Sequence, residues 1–417
     1  MSPRGKIWSM VGWLTMGLLL GAGCANEPVT DSPAELDIGE GAAVEVATDS
    51  STTIDAGREA FHVHPGEEIQ AALDKAAAHD KTKIVIVHAG TYQPDEPRQA
   101  LIWFNKKHSG IHLLAQGDVT LTAANPDVAN SADKSFPAIV NHVIYCGDGV
   151  AATTKIEGFR ITGANNFATT EGPQIEPSSD PELKRTAYFY YDGGGIKIFG
   201  RSYPTLENLE ICDNYSSPCG AGVSVEHRGF RDQDVTIRNC IFRNNRVPLT
   251  GAALDLLGDD KGSAVTVENC LFVGNASNCS LDSRSLKLGT WMSDKGHGAI
   301  TVFKPSRLTM RNCTIVGNRN GVDDLSPEST YQRCVFWHNT LDGGWVTGNR
   351  YETSIVNGAG VKDCFLGGEG LAYHDRLDAS NTLANSKTLG PEFDDTYTPQ
   401  NAKLDGVGYR PFEPPKN

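Results

Sequence analysis

The 417-residue chain carries 51 acidic and 37 basic residues, a formal net charge of −14, with 44 glycines and ten cysteines. An acidic chain with no basic stripe excludes a nucleic-acid partner, because duplex affinity rests on neutralising phosphates. The length alone admits two or three domains, but one repeat runs through nearly all of it and predicts a single elongated domain, for which a monomer is expected.

Residues 1–24 hold Arg4 and Lys6, an apolar run from Val11 to Leu20, and then Gly21-Ala22-Gly23-Cys24. This is the pattern of an export signal, too short for a membrane span and followed by small residues and a polar linker. Its end resembles a bacterial lipoprotein cleavage site with Cys24 as the lipidated residue, although Gly21 stands where Leu is usual. The expectation is an exported protein tied to the cell envelope, touching the membrane through that anchor only; ordinary secretion after Ala25 is the alternative. Between Ala25 and Gly57 there are eight acidic residues and no basic one, so residues 25–58 read as a disordered acidic tether.

From residue 59 to about 400 the pattern changes to short alternating strands. Pro65-Gly66-Glu67-Glu68 opens a helix that puts Ile69, Ala72, Leu73 and Ala76 on one face. Further on, an alternating run ending in Cys recurs as VTIRNCIFRNN from Val235, VTVENCLFVGN from Val265, LTMRNCTIVGN from Leu308 and YQRCVFWHN from Tyr331. The matching cysteines are taken as Cys212, Cys240, Cys270, Cys313, Cys334 and Cys364, and an Asn follows at Asn245, Asn275, Asn318 and Asn339. A second phrase runs in phase: GGIKIFG at Gly194, AGVSVEH at Ala221, GAALDLL at Gly251 and GAITVFK at Gly298. One such rung cannot bury its apolar side alone, whereas stacked rungs share a core, so the repeat predicts a solenoid of strands. The Asn residues read as a ladder of amides bonding the corners, and the Cys residues as stacked buried thiols. Cys219 and Cys279 fall outside that register, and a disulfide between them is the alternative use of the pair.

The stretch HVHPGEEIQAALDKAAAHDKTKIVIVHAGTY, His62 to Tyr92, together with these phrases and the closing NSKTLGPEFDDTYTPQNAKLDGVG, resembles the right-handed parallel β-helix, pectate-lyase-like superfamily. The fold class expected is therefore all-β, a right-handed parallel β-helix with a short N-terminal capping helix, ending in an irregular tail over 401–417.

Two long insertions, 166–192 and 276–297, both precede a Gly-strand phrase and should wall a groove beside that face. Strand alternation puts Lys197, Ser224, Asp255 and Thr301 in one outward column and Phe199, Glu226, Leu257 and Phe303 in the next. Such a groove suits a polysaccharide; Tyr190, Tyr191 and Trp291, with Tyr188 and Phe189, supply faces for sugar rings, and Arg201 and Ser224 polar contacts. The resemblance implies a lyase acting by β-elimination on an anionic polysaccharide, with Lys197 as base, Arg228 as carboxylate neutraliser or second acid/base, and His227 as helper. A lysine base needs a lowered pKa. Paired carboxylates such as Asp255 with Glu226 would instead serve a glycoside hydrolase, and a non-catalytic glycan-binding or adhesive solenoid is the remaining alternative. No cofactor is required by the pattern, with Ca²⁺ on Glu226, Asp255 and Asp259 as the alternative use of those acids. His62, His64, His88, His108 and His112 read as surface or satisfied residues.

Overall fold

The computed structural model describes residues 59–130, 136–165, 167–168, 191–258, 261–277, 297–339, 351–367, 370–384 and 390–412. Cys24, Tyr190, Asp259, Cys279 and Trp291, and with them the signal and tether, lie outside the described residues.

Among the described residues, the strands form two sheets in which every pairing between strands is parallel. One sheet holds nine strands, from Arg98–Phe104 through Ile196–Phe199, Val223–Glu226, Leu254–Leu256 and Ile300–Val302 to Leu371–Ala372. The other covers two sides of the coil. Its early members are long, and Lys155–Thr162 pairs with both Thr205–Glu207 and Glu210–Cys212. From there on, each rung divides that length into two short strands around a corner. The coil is right-handed, as parallel crossovers are.

The corner explains a residue type that the repeat carries beside its Cys. Asn208, Asn239, Asn269, Asn312, Arg333 and Asp363 all have φ between 50° and 54°. A single left-handed residue turns the chain sharply, and Asn and Asp tolerate that conformation better than other non-glycine residues. In the long strand Lys155–Thr162, the bend falls at Gly158, with φ +85°.

Inside, the expected stacks are present: Val235, Ile237, Cys240 and Phe242 lie under Val265, Val267, Cys270 and Phe272, all fully buried. The Phe242 and Phe272 rings are parallel, with centroids 4.6 Å apart. Cys240, Cys270, Cys313, Cys334 and Cys364 are free buried thiols, and the N–H groups of Cys240, Cys270 and Cys334 donate to the next rung's sulfur at 3.3–3.4 Å. Cys212 does not belong to this column. Glu210 is paired with Ile241 and Cys212 with Arg243, so Leu209 occupies the level of Cys240. Cys219 is likewise a free, buried thiol.

The amide ladder runs through five residues rather than four. Asn214 Nδ2 donates to Asn245 Oδ1 at 3.1 Å, and the same bond repeats from Asn245 to Asn275, Asn275 to Asn318 and Asn318 to Asn339. It ends on Glu352, whose carboxylate accepts from both Asn339 Nδ2 and Asn339 N. Burial raises the Glu352 carboxyl to about 7 against the opposing effect of these bonds. Replacing Asn275 with Ala removes donors to Phe242 O, Val273 O and Asn318 and the acceptor for Asn245. With several buried groups left unpaired, this should lower unfolding stability by about 2–4 kcal/mol, read from urea denaturation; a loss of less than about 1 kcal/mol would show that the ladder is ornamental.

The helix Ile69–Ala78 closes the first rung as expected, burying Ile69, Ala72, Leu73 and Ala76. At the other end the chain turns back along the outside of the coil. Asn269 and Arg410 exchange bonds of 2.8 and 2.9 Å, and Tyr409 packs with Ile241, Leu271 and Val316. An edge-to-end strap of this kind covers apolar outer side chains that alternation alone leaves exposed.

Candidate functional site

The nine-stranded face carries the column expected from alternation. Tyr145, Lys197, Ser224, Asp255, Thr301 and Asp323 stand opposite one another on successive rungs. They do not face solvent: Lys197, Ser224, Asp255 and Thr301 are fully buried and Asp323 nearly so. Part of the cover comes from the chain just before each strand. Gly193, Gly220 and Gly251 have φ of +77°, +64° and +64°, and a Cβ there would lie 2.4–2.9 Å from the Cβ of Lys197, Ser224 or Asp255. Only glycine permits so close a return. The residues before these glycines, Asp192, Cys219 and Thr250, thereby form a second column over the first.

A buried charge cluster results. Lys197 Nζ donates to Asp192 Oδ1 and Oδ2 at 2.9 and 2.8 Å, to Glu226 Oε2 at 2.8 Å and to Ser224 Oγ at 3.3 Å. Ser224 Oγ in turn donates to Asp192 Oδ2 at 2.6 Å. Burial alone would lower the Lys197 pKa, but the carboxylates of Asp192 and Glu226 outweigh it and raise it above its ordinary value. The lowered pKa that a lysine base requires is thus reversed, and Lys197 is the fixed cation of the cluster. Burial raises the Glu226 carboxyl, with Lys197 acting against that rise.

Asp255 sits one rung further on. Its Oδ1 accepts from Thr250 Oγ1 at 3.0 Å, and the Cys219 thiol also lies against the carboxyl as a weak donor. Burial first, and the neighbouring Asp192 charge second, push its carboxyl from 3.8 to about 8. At neutral pH it is an acid holding its proton, beside carboxylates that a lysine neutralises.

The other expected residues are placed as follows. Arg228 borders the cluster, with Nη1 3.5 Å from Glu226 Oε1. Arg201 is engaged elsewhere, forking onto Asp148 at 2.9 and 2.7 Å and lying over the Phe230 ring. His227 does not join them: alternation turns it away from Glu226, its Nε2 donates to Ser202 O at 3.0 Å, and burial lowers its pKa to about 4. It stays a neutral packing residue against Tyr203. Tyr191 is half-buried beside Asp192. For Ca²⁺, among the described residues no three His, Cys, Asp or Glu side chains come together as a metal site; Glu226 is held by Lys197 and Arg228, and Asp255 by Thr250.

Sequence reasoning missed Asp192 and Thr250, and it set Cys219 outside the cysteine register without placing it at this site. The available signal was their shared place, five residues before the outward column and one before a glycine.

Residues 109–289 match the family model described as the right handed beta helix region. The chain is a right-handed β-helix. No curated protein matches the chain. A β-helix fits a carbohydrate-active protein in general terms, while its particular chemistry rests on the groups just described.

Proposed function

We propose that this β-helix is a carbohydrate-active enzyme that hydrolyses a polysaccharide at its nine-stranded face. Asp255 is the general acid that protonates the departing glycosidic oxygen, and the Asp192–Glu226 pair supplies the carboxylate partner. The observation that carries this reading is the buried Asp255 carboxyl, protonated up to about 8, next to carboxylates tied to Lys197. A carboxyl that keeps its proton at neutral pH beside carboxylates bonded to a cation divides the acid and the base roles between neighbouring groups. Hydrolysis is favoured over β-elimination because Lys197, the base that elimination would use, is saturated with carboxylate bonds. The export signal and the Cys24 anchor support an envelope location for this activity.

One observation weighs against turnover at this face, the full burial of Lys197, Asp192 and Asp255, and leaves a glycan-binding solenoid as the second reading. The test is an assay of the purified protein on a panel of neutral and anionic polysaccharides between pH 5 and 8. New reducing ends without unsaturated-uronide absorbance are expected. Uronide absorbance would overturn hydrolysis in favour of elimination, and retained glycan with no product at any pH would leave binding alone.

A further inference from the structure

A second place in the coil combines an interrupted column of cross-strand charges with a groove. On the outer side of the other sheet, Glu157, Glu207, Arg238, Glu268, Arg311, Gln332 and Lys362 stand opposite one another on successive rungs. The first part of this column is compensated. Lys155 Nζ lies 2.8 Å from Glu157 and also contacts Glu207, and Arg238 Nε is 2.8 Å from Glu207. From Glu207 the signs alternate as cross-strand neighbours prefer. After Arg311 the alternation stops. An acid at the next level would sit between Arg311 and Lys362, and the residue there is Gln332. Arg311 reaches back to Glu268 only at 4.0 Å, Lys362 has Asp378 within electrostatic range from outside the column, and Arg311, Gln332 and Lys362 are all exposed.

A groove of 440 Å³ opens at this break, lined by Arg311, Thr330, Gln332, Asn357 and Lys362 over the buried Met310. Clefts for small ligands occupy about 300–1,000 Å³. Strands about 4.8 Å apart set the two cation-bearing backbones roughly 10 Å from each other, a span that two long side chains close around one anionic group. Hydroxyl and amide groups of Thr330, Gln332 and Asn357 offer hydrogen bonds to ligand hydroxyls.

We propose that this groove binds a carboxylate-bearing saccharide, the ligand's carboxylate standing in for the acid that the column lacks between Arg311 and Lys362. The anion site stands on the column alone; the saccharide class rests on the function proposed above. It lies on a different sheet from Asp255, so the two sites are separable.

Titration calorimetry of the full chain with trigalacturonate, and with maltotriose as the neutral control, tests it. Trigalacturonate should bind, more weakly as salt is raised, and maltotriose at least tenfold more weakly. Gln332→Glu fills the vacancy from within and should lower trigalacturonate affinity at least tenfold, as should Arg311→Ala, while Gln332→Glu raises the urea midpoint. Asp255→Asn should leave this binding unchanged, which separates failure of the hydrolytic site from failure of this one. Absence of trigalacturonate binding, equal binding of maltotriose, or wild-type affinity in Gln332→Glu each overturns the proposal.

Discussion

Replacing Lys197 with Met is expected to lower unfolding stability by about 3–5 kcal/mol, because it leaves two buried carboxylates without their cation. Asp192 and Glu226 both bond to Nζ at 2.8–2.9 Å, and neither retains appreciable exposure. The sign of the pH dependence follows. The Lys197 pKa is raised in the folded state, so its contribution is full below the ordinary lysine range and is lost only as pH climbs through the folded value. At pH 5–8 the wild type therefore shows no dependence from this group. In the variant, the orphaned carboxylates regain neutrality by taking up protons, so its deficit should shrink as pH falls. Urea midpoints at pH 7 and pH 5 check both statements, and adding Glu226→Gln should restore part of the loss. A Lys197→Met protein as stable as wild type would show that the cluster carries no net strain on losing its cation.

Asp255→Asn should have the opposite balance: turnover falls by about 10²–10⁴-fold, the usual contribution of a general acid, while the fold gains stability at alkaline pH. The folded carboxyl titrates near 8 and the unfolded one near 3.8. Between those values the native state holds a proton that the unfolded state has released. Wild-type stability must then decline as pH rises from about 4 to about 8 and level off above that. Asn has no proton to lose, and its Oδ1 can still accept from Thr250. By the linkage of about 1.4 kcal/mol per pKa unit, the variant should match wild type near pH 4 and exceed it by several kcal/mol, at most about 6, at pH 8. Activity of the wild type should likewise fade above about pH 8, as the acid is lost. A variant that keeps full turnover removes Asp255 as the acid, whatever its stability.

The two repeated phrases made the solenoid legible because a stacked rung cannot vary freely at its corners or its inward positions. Cys240, Cys270 and Asn275 recur since each bonds to its equivalent one rung away. The same logic misplaced Cys212. Leu209 fills the ladder level in that rung, and a cysteine three residues later imitates the phrase while pairing opposite Arg243. Alternation gave the side on which Lys197, Ser224 and Asp255 lie, but direction does not report cover. What buries them includes the return of the chain at Gly193, Gly220 and Gly251, and that return places Asp192 and Thr250 on their partners. The pKa of Asp255 depends on this arrangement and was not readable from its neighbours in sequence. The C-terminal segment, read as an irregular end, has little regular structure, yet Tyr409 and Arg410 bind rungs more than ninety residues back.

The amide ladder gives the coil a direction of growth. Every Asn from Asn214 to Asn339 passes its donor to the following rung, so one amide turned around would set oxygen against oxygen at one step and nitrogen against nitrogen at another. Interior rungs are interchangeable in this respect: a duplicated rung such as the one that starts at Asn245 and ends before Asn275, 30 residues on, brings both the acceptor its predecessor needs and the donor its successor needs. Glu352 cannot be copied inward in the same way, because both of its oxygens are taken by Asn339 and it has no amide N–H to pass to a following rung. Lengthening by internal duplication is therefore open to this architecture on one side of Glu352 and closed at it, which makes that single acid the stop signal of the array.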